Sequence, residues 1–408
     1  MSPWTALSSH RAWLQGEFER LLGFGRPQIA RPTGAAWLDA SGRPTDQVPE
    51  TWLTARAVHV HALGALAGIP GSAPVAAASL AALAGPLRDE ADGGWFHTAD
   101  RDPAQGKQAY DHAFVVLAAT SAQVAGIPGA EALLEDALAV LEERFLDADG
   151  LVVDSWDAGF AVASDYRGIN STMHTVEALL AAGDVAGPIW HERAARLAGF
   201  AIVRASEHGW RLPEHYAADW TVLPEYNDDR RDDQFRPYGA TVGHALEWAR
   251  LILHLEAALG TDHPAFAELP DSPLEAALAL YDRAVADGWS ADGAPGFVYT
   301  TDWSGVPVTH DRLHWVLAEA IGAAAALHER TGEARFAADY AAWWDHAEEY
   351  FLDREEGSWH HQLDRSNRVA RTVWPGKPDL YHAVQATLVP RLPLAPSMAS
   401  AIAEGALR

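Results

Sequence analysis

Apolar residues recur at three- and four-residue spacing in twelve stretches of the chain, and the stretches alternate between two characters. One set lies near residues 5–23, 73–89, 130–145, 189–206, 272–287 and 334–351. It keeps one charged face, as in Glu131, Glu135, Glu142, Glu143 and Arg144, which suits helices of an outer layer. The other set lies near 51–67, 108–124, 171–182, 239–259, 311–330 and 378–390 and is apolar almost all round, as an inner layer requires. Both are rich in Ala and Leu, which lose little on entering a helix. Pro-Gly pairs such as Pro70-Gly71 and Pro128-Gly129 close the hairpins.

A Gly/Trp-rich turn separates each outer stretch from the inner one that follows. The turns are Ala36-Trp37, Gly93-Gly94-Trp95-Phe96-His97, Gly150 to Asp154-Ser155-Trp156, Gly209-Trp210 to Glu214-His215, Gly296-Phe297-Val298-Tyr299, and Gly357-Ser358-Trp359-His360-His361-Gln362. The repeat runs to roughly 60 residues, longer than an open solenoid of TPR or HEAT type uses. Six outer and six inner helices therefore predict an all-α protein, an (α/α)6 barrel of six helical hairpins, with residues 1–408 as one catalytic domain. The longer gap after Trp210 holds a polar insertion, Glu225 to Arg236. Its acidic residues Asp228, Asp229, Asp232 and Asp233 read as a solvated loop or a lid.

Composition narrows the function. With 49% hydrophobic residues the chain can build a large core, and a net charge of −26 argues against a nucleic-acid partner. The absence of Cys excludes disulfides, thiolate catalysis and Cys-bound metal, and it fits a cytoplasmic setting. The uncharged stretch from Ala62 to Leu87 is broken by Pro70-Gly71-Ser72 and Pro74, so it reads as two helices and a turn rather than a membrane span. The start, Met1-Ser2-Pro3-Trp4-Thr5, lacks the pattern of a signal peptide. Lys occurs only at positions 107 and 377, both at the start of inner helices, which makes each a site candidate.

The first turns of the inner helices share a polar set: Arg56 and His59; Lys107, Tyr110, Asp111 and His112; Asn170, His174 and Glu177; His244, Glu247 and Trp248; His314, Trp315 and Glu319; Lys377, Asp379, Tyr381 and His382. In a ring of parallel inner helices these starts meet at one end and line a pocket for a polar small molecule. Partial positive charge at helix N-termini favours neutral imidazole, the form that acts as a base near neutral pH. His59 and His61 read as packed core residues. His174-x-x-Glu177 and His244-x-x-Glu247 recur at corresponding places, and a carboxylate there either orients the ring or takes a substrate hydroxyl. The His-x-x-Glu order is the reverse of the di-iron Glu-x-x-His motif, and no His-Glu-x-x-His occurs, so no metal and no cofactor are predicted. Trp315 and Trp374 read either as core or as a wall on which a sugar face lies. No nucleotide loop and no Gly-x-Ser-x-Gly elbow is present.

The motifs Thr54-Ala55-Arg56-x-x-His59, Gly93-Gly94-Trp95-Phe96, Lys107-x-x-Tyr110-Asp111-His112-Ala113-Phe114, Asn170-x-x-Met173-His174-x-x-Glu177, Gly243-His244-x-x-Glu247-Trp248 and Gly376-Lys377-Pro378-Asp379-Leu380-Tyr381-His382 resemble the N-acylglucosamine 2-epimerase superfamily over nearly the whole chain. The last motif is similar to its aldose–ketose isomerase branch, the mannose and sulfoquinovose isomerases. Ala57 departs from the Met often found after the motif Arg.

The resemblance implies metal-independent isomerisation of a monosaccharide through a cis-enediol. His382 would move the proton between C2 and C1. His244 would be a second acid/base, with Glu247 as its partner or as a hydroxyl ligand, and His174 would serve ring opening. Arg56 would polarise the carbonyl. Tyr110, Asn170, Arg236, Trp315, Glu319, Gln362 and Trp374 would hold the sugar.

A sulfonated sugar would want more basic groups than Arg56, Arg236 and Lys377, although Arg230, Arg231 and Arg371 lie on loops. The expected reaction is therefore D-mannose to D-fructose, or D-lyxose to D-xylulose. The alternatives are a 2-epimerase of the same fold, a six-hairpin glycoside hydrolase using Glu247 and Glu319 as its carboxyl pair, and a scaffold without catalysis.

Overall fold

The computed structural model describes residues 2–408. Its principal helices, in chain order, are α1 (Ser8–Gly25), α2 (Thr51–Leu66), α3 (Ser72–Ala84), α4 (Ala109–Val124), α5 (Ala130–Val140), α6 (Ile169–Ala186), α7 (Ile189–Glu207), α8 (Val242–Leu259), α9 (Pro273–Gly288), α10 (His314–Thr331), α11 (Ala334–His346), α12 (Tyr381–Leu388) and α13 (Met398–Ala403). The even-numbered helices form the inner ring: each packs against the next, and α12 returns to α2. Each inner helix from α2 to α10 also packs against the outer helix that follows it, while α12 packs against α1, so the two ends of the chain close the barrel together. Inner helices are buried nearly all round, whereas outer helices such as α7 and α9 bury one stripe. Among the described residues no helix is long and apolar enough to cross a membrane.

What sets the level of the inner helices is a series of backbone stitches. The first residue of a helix has no intrahelical partner for its N–H. Here Thr51 donates to His97 O, Ala109 to Asp154 O, Ile169 to Glu214 O, Val242 to Tyr299 O and His314 to His361 O, at 2.8–3.2 Å. Each acceptor lies in the turn of the next unit. Short antiparallel pairs, too brief to leave an alternating pattern in sequence, extend four of the stitches: Lys107–Gln108 with Ser155–Trp156, Tyr166–Gly168 with His215–Ala217, Ala240–Thr241 with Thr300–Thr301, and Arg312–Leu313 with Gln362–Leu363. The sixth stitch runs from Lys377 N to Leu38 O (2.9 Å) and joins the last unit to the first. Gly106, Gly239 and Gly376 allow the close approach, because a Cβ at each would lie 2.1 Å from a carbonyl oxygen of the neighbouring strand.

The predicted helices match within a few residues at most ends. The last inner helix is shorter than its apolar run. Pro378 has no N–H to give, and Asp379 Oδ1 accepts the Tyr381 N–H (3.0 Å), so the helix begins at Tyr381.

Neither lysine faces a pocket. Lys107 is fully buried, with Nζ on Asp89 Oδ2 (2.7 Å) and Gly93 O. Lys377 is buried on Asp353 Oδ2 (2.5 Å) and Gly357 O (2.8 Å). Both pin the turn before their own helix, so the scarcity of Lys points here to two structural clamps. Lys377→Met leaves Asp353 buried without its cation, and loss of one partner of a buried pair costs about 3–5 kcal/mol. Urea unfolding should show a loss of that size, while Arg31→Met, which removes the exposed pair with Asp46, should change stability by less than about 1 kcal/mol.

Candidate active site

The inner-helix starts open onto one pocket of about 580 Å³, lined by Trp52, Arg56, Tyr110, Asn170, His174, Gln234, Phe235, His244, Glu247, Tyr299, Leu313, Trp315, Trp374, Asp379 and His382. Nine of the twelve residues proposed from sequence are on this wall: Arg56, Tyr110, Asn170, His174, His244, Glu247, Trp315, Trp374 and His382. An outer vestibule adjoins it, sharing Trp52, Tyr110, Asn170 and Phe235.

Two imidazoles are held alike. His382 Nδ1 bonds Glu319 Oε1 (2.8 Å), and His244 Nδ1 bonds Glu214 Oε2 (2.9 Å). A carboxylate at Nδ1 holds the proton there and leaves the Nε2 lone pair free. Neither Nε2 has a hydrogen-bond partner among the described residues, and both rings border the pocket. The Trp315 indole lies between them, with ring centroids 5.2 Å from His244 and 5.6 Å from His382. Gly243 makes room for that indole, since a Cβ there would lie 2.3 Å from it. His174 stands across the pocket, its ring 6.4 Å from His382. Its Nδ1 is 3.5 Å from Glu177 Oε2 and 3.8 Å from Glu247 Oε1, so its orientation rests more on packing against Phe114 (4.6 Å) than on either carboxylate.

Arg56 donates to Asp379 Oδ2 (2.5 Å) and to the Tyr110 hydroxyl (2.8 Å), and its guanidinium lies 4.2 Å from the centroid of Phe114 and 4.6 Å from that of Tyr381. This gives the pocket one fixed positive group with a set orientation.

Glu247 is 1% exposed, and neither carboxyl oxygen has a hydrogen-bond partner. Burial, together with the nearby charge of Glu319, pushes it well above the usual carboxylate range. This favours the protonated form, which has an O–H to give to a ligand. Burial also raises Glu319, against the opposing pull of Arg250. Burial, then the charge of Arg56, holds His382 well below its ordinary value, and burial brings His174 to about 4.

Several expected assignments change. Glu247 is not the partner of His244; Glu214 is, reaching in from the preceding turn. Glu319 does not face the sugar pocket, because both of its oxygens are engaged by His382 and Arg250. That engagement also removes the free carboxyl pair a glycoside hydrolase would need. Gln362 is 1% exposed and fully used: its amide nitrogen donates to Asp311 (2.8 Å) and Thr372 (2.7 Å), and its oxygen accepts from Val373 N (2.8 Å). It shapes the loop carrying Trp374 and does not line the pocket. Arg236 lies in the outer vestibule, on Asp154 (3.2 Å) and 4.0 Å over the Tyr166 ring.

Sequence reasoning passed over Gln234, Phe235, Tyr299 and Glu214. The first two come from the acidic insertion, whose Phe235 is exposed at the mouth of the pocket. The signal for Glu214 was its place beside His215 in a Gly/Trp turn.

Two donor groups, His174/Glu177/Glu247 and Glu247/Glu319/His382, have atoms within 4.8 Å of one another, as metal ligands do. Of these donors Glu177 and Glu319 are already engaged, while Glu247 has no hydrogen-bond partner. Glu177 accepts from Tyr381 Oη and from Gln385 (2.7 Å), and Arg250 lies on Glu319 (2.9 Å) and 3.6 Å from Glu247. A fixed guanidinium in that position opposes a second cation.

The ring of inner and outer helices defines the class as an (α/α)6 barrel with one pocket lined by imidazole and indole. A profile of the N-acylglucosamine 2-epimerase (GlcNAc 2-epimerase) family matches residues 34–386, and the chain belongs to that family. It is 51% identical to a D-mannose isomerase of Thermobifida fusca, covering 99% of both chains. It is 46% identical to one from Pseudomonas cannabina pv. alisalensis, covering 98% of this chain and 97% of that one. A crystal structure of D-mannose isomerase superposes with a TM-score of 0.82 at 25% identity, over 92% of this chain and 96% of the other.

Burial of neutral imidazoles has a consequence for stability. His59, His174 and His314 are lowered by burial from 6.5 to about 4, and His61 and His112 to about 3. Below pH 6.5 the unfolded chain takes up protons that the folded chain refuses, so stability is full above 6.5 and falls as pH drops towards 4. His97, raised to about 9 chiefly by Asp111, acts in the opposite sense: its contribution is present below 6.5 and is lost as pH rises through 9. The unfolding free energy from urea titrations should therefore fall between pH 7 and pH 5 by about 2 kcal/mol or more, with a lower midpoint. An unchanged midpoint would mean that these imidazoles titrate normally.

Proposed function

We propose that this protein is an aldose–ketose isomerase that converts D-mannose to D-fructose, with D-lyxose to D-xylulose as a second substrate pair, without a metal ion. The observation that carries the reading is the pair of imidazoles, each held at Nδ1 by its own carboxylate and each presenting a free Nε2 to one pocket. The kinship with proteins named D-mannose isomerase supports the choice of sugar.

The chemistry follows from what each group can do at its position. The ring of the aldose opens when O5 is protonated and O1 loses a proton; His174 and neutral Glu247 are placed to exchange those protons. His382 Nε2 takes the C2 proton, and a cis-enediolate forms across C1 and C2. Arg56, oriented by Asp379 and Tyr110, stabilises its oxygen without reorganising. The imidazolium of His382, stabilised by Glu319, returns the proton to C1, while His244 moves the proton between O2 and O1. Trp315, Trp374 and Asn170 hold the sugar, with the apolar face of the chair on indole. Arg236 acts from the vestibule, at the far end of the ligand. Arg250 beside the buried acids supports a mechanism in which no metal is needed. We place the reaction in the cytoplasm, as the cysteine-free composition allows.

The alternative within the family is a 2-epimerase, for which like dyads on two sides of one pocket also suffice. The products separate the two readings. Proton NMR of EDTA-treated protein with D-mannose should show fructose, and His382→Asn and His244→Asn should each lower kcat by at least about 100-fold. Glucose without fructose would establish the epimerase. Activity that vanishes with EDTA and returns with a divalent ion would overturn the metal-free mechanism.

A further inference from the structure

The proposed reaction requires His382 to present its Nε2 lone pair in one orientation, and Glu319 secures this by accepting from Nδ1. Glu319 itself sits on a different helix, α10, and is held from α8 by Arg250. Arg250 Nε donates to Glu319 Oε2 at 3.0 Å, and Nη2 lies 2.9 Å from the same oxygen without a hydrogen bond of its own. The other carboxylate oxygen, Oε1, is thereby left for His382 (2.8 Å). Both Arg250 and Glu319 are almost fully buried, at 2% and 1% exposure. Gly322, one turn beyond Glu319 on α10, leaves room for the Arg250 side chain, whose Cδ would lie 3.2 Å from a Cβ there.

Arg250 does not line the sugar pocket. It faces a separate cavity of about 560 Å³ beneath it, towards the C-terminal segment Leu394–Ala399, and so lies out of reach of the substrate. From the other elements around it, α6 presents Glu177 and Asp184, α7 His191, α12 Tyr381 and α2 His59, and α8 itself adds Glu247 and His254. Among these acids Glu319 alone is bonded to Arg250, while Glu177 is satisfied by Tyr381 and Gln385. Glu247 stays 3.6 Å away with both oxygens free.

We propose that Arg250 is a positioning residue for the isomerisation: its guanidinium fixes the Glu319 carboxylate so that the remaining oxygen takes the Nδ1 proton of His382 and aims the base at C1 and C2. The inference rests on the isomerase reading above. The geometry uses the Nε–H of a guanidinium, and a lysine ammonium, one bond further along its stem, does not stand at that position.

The test compares Arg250→Lys and Arg250→Met with the unaltered protein, using D-mannose turnover and 15N NMR of the His382 imidazole. Arg250→Lys should keep the fold and lower kcat by about 10-fold, with KM within about twofold; Arg250→Met should lower kcat by about 100-fold. In both variants the His382 Nδ1–H signal should shift or broaden. Adding Arg250→Met to Glu319→Gln should cost little more than Glu319→Gln alone, because both act through one contact. Should Arg250→Met fail to fold, Arg250→Lys and its imidazole signal carry the test. Unchanged kcat with an unchanged His382 signal, whether or not the melting temperature falls, would reduce Arg250 to a structural ion pair. The imidazole readout needs no turnover, so it stands even if mannose proves the wrong sugar, and inactivity of the unaltered protein would count against the isomerase reading alone.

Discussion

Five of the inner helices begin where the first N–H meets a carbonyl in the turn of the next unit, and ahead of α12 Lys377 N makes the same contact. This one contact determines much of the rest. A helix start buried in a barrel cannot leave its donors to water, and its own helix offers no acceptor. The neighbour's turn supplies one, so the six starts are held at one level and the ring must close for the last of them to be satisfied. The long turns and the glycines that let strands touch serve that contact. Function follows from the same geometry, because side chains in the first turns of six helices then converge on a single space.

Burial in that space sets the charge states. Glu177, Glu247 and Glu319 lie near Arg250, while Arg56 is committed to Asp379. One guanidinium cannot neutralise three buried carboxylates, so the acid with no hydrogen-bond partner, Glu247, keeps its proton. Burial likewise favours the neutral form of His174 and His382, and a carboxylate at Nδ1 of His382 and of His244 fixes each tautomer. A pocket with neutral bases, a neutral acid and one oriented cation suits proton shuffling on a neutral sugar. The same burial makes the fold sensitive to acid.

Helices and layers were legible in the sequence because a buried inner helix is apolar on every side and an outer one is not. The start of α12 was less so, since Pro378 and Asp379 interrupt an apolar run that otherwise reads as helix. Two-residue strands leave no periodicity to read. Pocket histidines were recognisable from their place in the repeat, but their partners were not. Glu247, three residues after His244, has the spacing of a partner; the carboxylate that reaches Nδ1 is Glu214, brought in by the folding of the turn that precedes α8. Glu319 and Gln362 have the position of sugar ligands, yet their polar atoms are consumed within the protein. Which polar atoms remain free depends on contacts between units, and spacing along one helix carries no record of those.

The decisive measurement follows the hydrogen on C2. D-Mannose carrying deuterium at C2 would be converted in ordinary water and the fructose examined at C1. Transfer by one imidazole on one face of an enediolate predicts deuterium at C1 in part of the product, with the remainder lost to solvent from His382. Complete retention, unaffected by solvent exchange, would indicate a hydride shift and contradict proton transfer through His382.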